Sequence, residues 1–201
     1  MSATYTPFGL KPVYHPSGII RSLNYTGAYD TGVVFYSGTP VVLDEATTAG
    51  VSTLTVAGNT PVAGKRLAGV FGGVEYTDAS GRRTVSKWFG PALGTATDVV
   101  MWIFMDPEIV YEAQANGSIA NTQVGQSFNF TAVTSGQIIG NGGLGTSTAG
   151  IDPTAVAVGT QGQVQVVGLA ARSTTPGATP RRSSRSRSPT TRSLPQTLNN
   201  N

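Results

Sequence analysis

Gly69-Val-Phe-Gly-Gly-Val-Glu-Tyr-Thr-Asp78-Ala-Ser-Gly81-Arg-Arg-Thr-Val-Ser-Lys-Trp-Phe89 reads as two strands and the turn between them. Apolar, aromatic and β-branched residues mark both flanks, while Asp78-Ala-Ser-Gly81 sets an aspartate at the start of a tight turn and a glycine at its close. After the turn, Val85 and Lys87 fall on one face and Ser86 and Trp88 on the other, as a two-residue period requires. The alternation is imperfect, which predicts a strand partly covered on both sides.

The same pattern continues outward in both directions. Short apolar or alternating runs bounded by Gly, Pro, Asn, Asp and Ser predict strands at Gly18–Leu23, Thr31–Tyr36, Pro40–Leu43, Leu67–Tyr76, Thr84–Phe89, Val99–Phe104, Ile109–Glu112, Phe128–Ala132 and Gln163–Leu169. Only 11% of residues are charged, against 26 Gly and 12 Pro, so little material exists for charged surface helices. The expected fold is mostly β: a sandwich or small barrel-like domain with an extended N-terminal arm and a disordered C-terminal tail. Small polar runs at Asp44–Gly50 and Gly140–Pro153 read as surface loops. The absence of cysteine excludes disulfides, thiolate chemistry and Cys-ligated metals.

Three regions follow. Residues 1–17 form the arm, because Tyr5-Thr-Pro-Phe-Gly-Leu-Lys-Pro-Val13 spaces apolar side chains along a Pro- and Gly-rich stretch that favours an extended chain. Tyr5, Pro7, Phe8, Leu10, Lys11 and Val13 are the expected contacts with a neighbouring subunit, set against the alternative of a plain first strand of the body. Residues 18–171 form the β-rich body, as one unit or two small β subdomains. Residues 172–201 are Arg, Ser, Thr and Pro with almost nothing to bury, and cannot offset their chain entropy.

The net charge of +3 is the tail's. Six arginines (172, 181, 182, 185, 187 and 192) and no acid lie in 172–201, leaving seven basic and ten acidic groups in a mildly acidic body. The tail lacks the interleaved aromatics that stack on bases, so no specific nucleic-acid partner is expected. No basic-then-apolar leader opens the chain, and no apolar run approaches the roughly 20 residues that span a bilayer. A soluble chain without a membrane partner is therefore expected.

Chemistry-bearing residues are sparse. His15 is the single histidine, so any Ser-His-Asp constellation must use it, and sequence alone identifies neither nucleophile nor orienting acid. Gly140-Asn-Gly-Gly-Leu-Gly145 has dinucleotide-loop spacing, yet no helical pattern follows to hold a pyrophosphate. Asp106 and Glu108 flank Pro107, with Glu112 farther on, and read as a turn entering a strand rather than as a carboxylate pair across a cleft. No catalytic, cofactor-binding or metal residue is expected.

Six segments in order resemble a family of tailed-bacteriophage capsid cement or decoration proteins. They are Pro7-Phe-Gly-Leu-Lys-Pro-Val13, Asn24-Tyr-Thr-Gly-Ala-Tyr29, Ser37-Gly-Thr-Pro-Val-Val-Leu43, Gly69 to Gly81 with Trp88, Asp106-Pro-Glu-Ile-Val-Tyr-Glu112, and Gln163-Val-Gln-Val-Val-Gly-Leu169. The resemblance implies a non-enzymatic β-rich protein, made in the host cytoplasm, that sits on the outer face of the virion and cements neighbouring major capsid protein subunits. A homotrimer is the expected assembly, with a dimer as the alternative. A virion-displayed glycan- or receptor-binding β-module is the competing function. The tail departs from the resemblance, which implies a final apolar-alternating strand. Arg182-Ser183, Arg185-Ser186 and Arg187-Ser188 are compatible with such a strand read in a shifted frame, because Arg-Ser encoded as CGN-TCN contains NTC, and NTC specifies Phe, Leu, Ile or Val.

Overall fold

The computed structural model describes residues 7–45, 52–62, 65–93, 95–131, 136–137, 145–157, 160–172 and 181–187. The fold is mostly β. In chain order the strands are β1 Lys11–Tyr14, β2 Leu23–Tyr25, β3 Phe35–Tyr36, β4 Pro40–Asp44, β5 Thr53–Val56, β6 Lys65–Thr77, β7 Arg83–Ser86 and β8 Trp88–Phe89. They continue with β9 Thr97–Phe104, β10 Val110–Ala113, β11 Ser127–Thr131, β12 Gly136–Gln137, β13 Thr146–Ser147, β14 Gly150–Ala155, β15 Val164–Arg172 and β16 Arg181–Arg187. One sheet runs β2-β9-β6-β4-β5, with β7 also on β6, and the second runs β1-β10-β16-β15-β11-β14. Among the described residues neither of these sheets closes on itself, so the body is built on a pair of open sheets, with the two-stranded ladders β3-β8 and β12-β13 beside them.

The quoted hairpin is the spine of the first sheet. β6 pairs with β9 along one side, and along the other with β4 at its start and β7 at its end. Its residues feed two different cores. Val70 joins Val42, Tyr111, Phe128, Phe130, Ile151 and Val166 between the sheets. Phe71, Val74 and Tyr76 join Phe35, Val41, Leu54, Phe89, Met101 and Ile103 on the opposite face. Fully burying one such side chain contributes about 1.5–3 kcal/mol, so both cores are substantial. Tilted and edge-on ring pairs, Phe35 with Phe71 at 5.7 Å and Tyr76 with Phe89 at 5.8 Å, tighten the second core.

Val70 and Val74 are four residues apart yet belong to opposite cores, so the strand shifts register between them, at the bulge against β9 between Phe71 and Gly73. At Gly69, φ is +154°, and a Cβ there would sit 2.1 Å from the Phe104 carbonyl oxygen. The ladder with β4 is irregular at that point. At the hairpin tip, Gly81 has φ +80° with open space around it, and its amide donates to the Asp78 carbonyl at 2.9 Å. The Asp78 carboxylate accepts from the Ser80 hydroxyl and from the amides of Ser80 and Arg82. These bonds, led by the Ser80 hydroxyl, hold its pKa down at about 2.

Several expectations shift. Residues 18–22 do not form a strand, since the Gly18 amide turns back onto the His15 carbonyl and the segment finds no partner before Leu23. Thr31–Tyr36 contracts to Phe35–Tyr36, because the Asp30 side chain caps a turn through the Gly32 amide. In the presumed loop 140–153, residues 145–153 include β13 and most of β14, with Ile151 fully buried, while 140–144 lie outside the described residues. β5 falls where no strand is predicted, and Leu54 is fully buried. Of residues 1–17, 1–6 lie outside the described residues, Lys11–Tyr14 form a first strand antiparallel to β10, and the chain turns at His15–Gly18. Of the tail, Arg172 closes β15 and Arg181–Arg187 lies in register between β10 and β15, whereas 173–180 and 188–201 are outside the described residues.

Two expectations are testable by unfolding in urea. Gly69→Ala lowers stability by about 3 kcal/mol or more through the clash with Phe104, whereas Gly81→Ala costs about 1 kcal/mol; equal losses contradict the close approach. Because the Asp78 pKa is lowered on folding from 3.8 to about 2, its stabilising effect is present above 3.8 and disappears as pH falls through about 2. The stability difference between the native chain and Asp78→Asn therefore closes over that interval, and a difference unchanged at low pH contradicts the turn's electrostatics.

Candidate binding surface

The two sheets end in strands that are consecutive in the chain. β1 is the edge of the second sheet and β2 the edge of the first, joined by residues 15–22. Each pairs on one side only among the described residues, leaving a row of backbone donors and acceptors for another chain. Apolar side chains crowd the same region: Tyr14, Ile19 and Leu23 are each more than half exposed, at 53%, 54% and 55%. Val13 is 36% exposed beside them.

Between the β1–β2 connection and the β9–β10 turn lies an open groove of about 530 Å³, lined by His15, Ser17, Ile19, Arg21, Leu23, Met105, Asp106, Pro107 and Ile109. His15 fixes its shape. The imidazole Nε2 meets Asp106 Oδ2 at 3.0 Å, and Nδ1 meets the Ser17 hydroxyl at 2.6 Å. The Ser17 amide donates to Nδ1 at 3.1 Å, so that nitrogen is an acceptor and the neutral ring carries its proton on Nε2, facing Asp106. The clamp thus ties the β1–β2 connection to the β9–β10 turn. Asp106 is held in turn, because its other carboxylate oxygen accepts the Glu108 amide at 2.9 Å.

This places Ser17, His15 and Asp106 in hydrogen-bonded series, a constellation that sequence reasoning did not assemble. Acyl transfer also needs amides aimed where an oxyanion develops. Here the Gly18 amide donates to the His15 carbonyl and the Ile19 amide faces the Ser17 hydroxyl itself. The local arrangement is that of a turn clamp. Asp106 and Glu108 share a turn rather than a cleft, and among the described residues no group of three or more His, Cys, Asp or Glu gathers to hold a metal. Tyr111, buried behind the turn, donates to the Phe104 carbonyl at 3.0 Å, and burial, aided by the Asp106 charge, raises its pKa.

The expected contact residues divide. Leu10 is buried at 3% in the chain's own core, and its amide donates to the Gly38 carbonyl at 2.8 Å, so it is removed from the contact set. Pro7 and Phe8 are half-buried, Phe8 in a second groove of about 370 Å³ beside Phe71 and Phe104. Lys11 is exposed and Val13 partly so, while Tyr5 lies outside the described residues. Tyr14, Ile19 and Leu23 are the additions. Their signal in the sequence was an apolar residue at each end of a segment with too many turn formers to be a strand.

Compared with known protein families, curated proteins and solved structures, the chain matches none. Among the described residues, no helix is long and apolar enough to cross a membrane.

A double-mutant cycle on His15→Ala and Asp106→Asn is expected to give a coupling of about 0.5–1 kcal/mol, modest because Asp106 is half exposed. Amide exchange at residues 17–19 should quicken in either single variant. Zero coupling with unchanged exchange contradicts the clamp.

Proposed function

We propose that this chain is a structural virion protein of a tailed bacteriophage, binding the outer surface of the capsid and cementing neighbouring major capsid protein subunits. One observation carries the reading: the edge strands β1 and β2 are joined by a connection with exposed apolar side chains, Ile19 and Leu23 lining one groove, and Val13 and Tyr14 are exposed on β1. Contiguous exposed apolar surface rimmed by polar groups marks protein–protein contact. The ordered sequence resemblance supplies the identity of the partner.

The work is mechanical. Apolar area removed from water contributes roughly 25 cal/mol per Å², offset by the rigid-body entropy lost on docking. A ligand that binds the assembled shell and not its separated subunits stabilises the shell by mass action. Lattice symmetry favours a cyclic homo-oligomer, a trimer in this reading. The glycan-binding alternative relies on exposed aromatic platforms. Trp88 and Trp102 support it less, since both are half-buried, Trp88 near Gly145 and Trp102 near Gly73.

Added to phage shells that lack it, the purified chain should bind saturably and raise the temperature at which the shells rupture. Ile19→Asp with Leu23→Asp should weaken binding at least tenfold, while Val85→Asp, a 61% exposed position on β7, leaves it unchanged. No binding by the native chain, or equal weakening by Val85→Asp, contradicts the proposal.

A further inference from the structure

Four cations of the body are held in ion pairs: Lys65 with Asp44, Arg66 with Glu45, Arg82 with Asp78 and Arg83 with Glu75. Arg21 is not. It is exposed, it lines the groove between the β1–β2 connection and the β9–β10 turn, and it has no hydrogen bond or ion pair among the described residues. Asp106 shares the groove, but both of its carboxylate oxygens are engaged, Oδ2 by His15 and Oδ1 by the Glu108 amide. The guanidinium is therefore the groove's unmatched charge. Its planar fork of donors fits a carboxylate, which it grips through two parallel N–H···O bonds.

The rest of the lining is largely apolar. Buried Ile109 and half-buried Met105 contribute to it together with exposed Ile19, Leu23 and Pro107. A volume of about 530 Å³ lies within the roughly 300–1,000 Å³ of sites that enclose small ligands, and it accommodates a few side chains.

Leu23 carries this lining onto β2, and β2 differs from the other edges of the two large sheets. The outer side of β5 is taken by residues 28–30: the Asp30 amide donates to the Leu54 carbonyl at 2.8 Å, and the Leu54 amide to the Ala28 carbonyl at 2.9 Å. β14 is covered in the same way, the Asn116 amide donating to the Ile151 carbonyl and the Ile151 amide to the Gln114 carbonyl. β1 carries Lys11 and Pro12, and β7 opens with Arg83. Charges, prolines and covering segments discourage an edge from pairing with another chain. Leu23-Asn24-Tyr25 has no charge and no proline, and among the described residues its ladder with β9 is the one it makes.

We propose that this groove and the outer edge of β2 dock an extended peptide segment of a partner protein, one that carries apolar side chains and an Asp or Glu. The apolar side chains pack beside Ile19 and Leu23, the backbone continues the first sheet along β2, and the carboxylate meets Arg21. The proposal rests on the reading of this face as the docking surface and adds the chemistry of the segment that it receives.

The full chain is titrated with two probes, acetyl-Val-Glu-Val-Glu-Val-amide and acetyl-Val-Lys-Val-Lys-Val-amide, and followed by the NMR signals of its backbone amides. The acidic peptide should bind saturably and shift residues 17–25 and 105–109, and the basic peptide should not. Arg21→Gln should weaken the acidic peptide about three- to fivefold and Arg21→Lys less, with Tm unchanged in both variants. Raising the salt to about 0.5 M should weaken binding by the native chain as well. Equal binding of the two peptides, binding of neither, shifts confined to other residues, or native affinity in Arg21→Gln overturns the proposal. So do concentration-dependent shifts of residues 17–25 without peptide, which identify a second copy of this chain as the occupant. Phage shells separate this inference from the capsid reading. Equal binding of the native chain and Arg21→Gln to shells overturns the acidic segment and leaves the capsid reading standing, whereas acidic-peptide binding by a chain that does not bind shells supports the segment and removes the capsid.

Discussion

The close approach of Gly69 to the Phe104 carbonyl is the contact on which the rest of the arrangement depends. It lets β6 run close beside β9 just before Val70 enters one core and Phe71 the other. The same carbonyl accepts the Tyr111 hydroxyl, so a single backbone oxygen links the spine of the first sheet to β10 of the second. Any side chain at position 69 would push these strands apart, and the two cores would no longer share a wall. Tight interiors transmit such displacements rather than absorb them.

From that junction the outer surface follows. Phe104 ends β9, the Asp106 turn leads into β10, and β10 pairs with β1. His15 closes the circuit by bonding Asp106, which holds the connection between the two edge strands against the body. The exposed apolar residues Ile19 and Leu23 are thereby carried on or beside a braced turn, and a rigid surface loses less entropy on docking than a mobile one. In this account the histidine's contribution to function is positional.

The central hairpin was legible in the sequence because local chemistry decides it: Asp78 and Gly81 make the turn without tertiary help. Strands with strong apolar runs, such as Val99–Phe104, were legible for the same reason. β5 and β14 were not, because Thr53–Val56 and Gly150–Ala155 are rich in Thr, Gly and Pro, and become strands through their ladders with β4 and β11. Residues 18–22 misled in the opposite direction, their apolar content serving the surface instead of a ladder. Of the residues expected to make contacts, Lys11 and Val13 are exposed, while the burial of Leu10 and the meeting of His15 with Asp106 depend on contacts that no local pattern encodes.

The most direct test of the account compares amide hydrogen exchange in the free chain and in the chain bound to phage shells. New protection concentrated in residues 11–25, across β1, the clamped turn and β2, is the predicted result. Protection on β7, β14 or β15 with residues 11–25 unchanged would contradict it, because the surface argued here would then be facing solvent in the bound state.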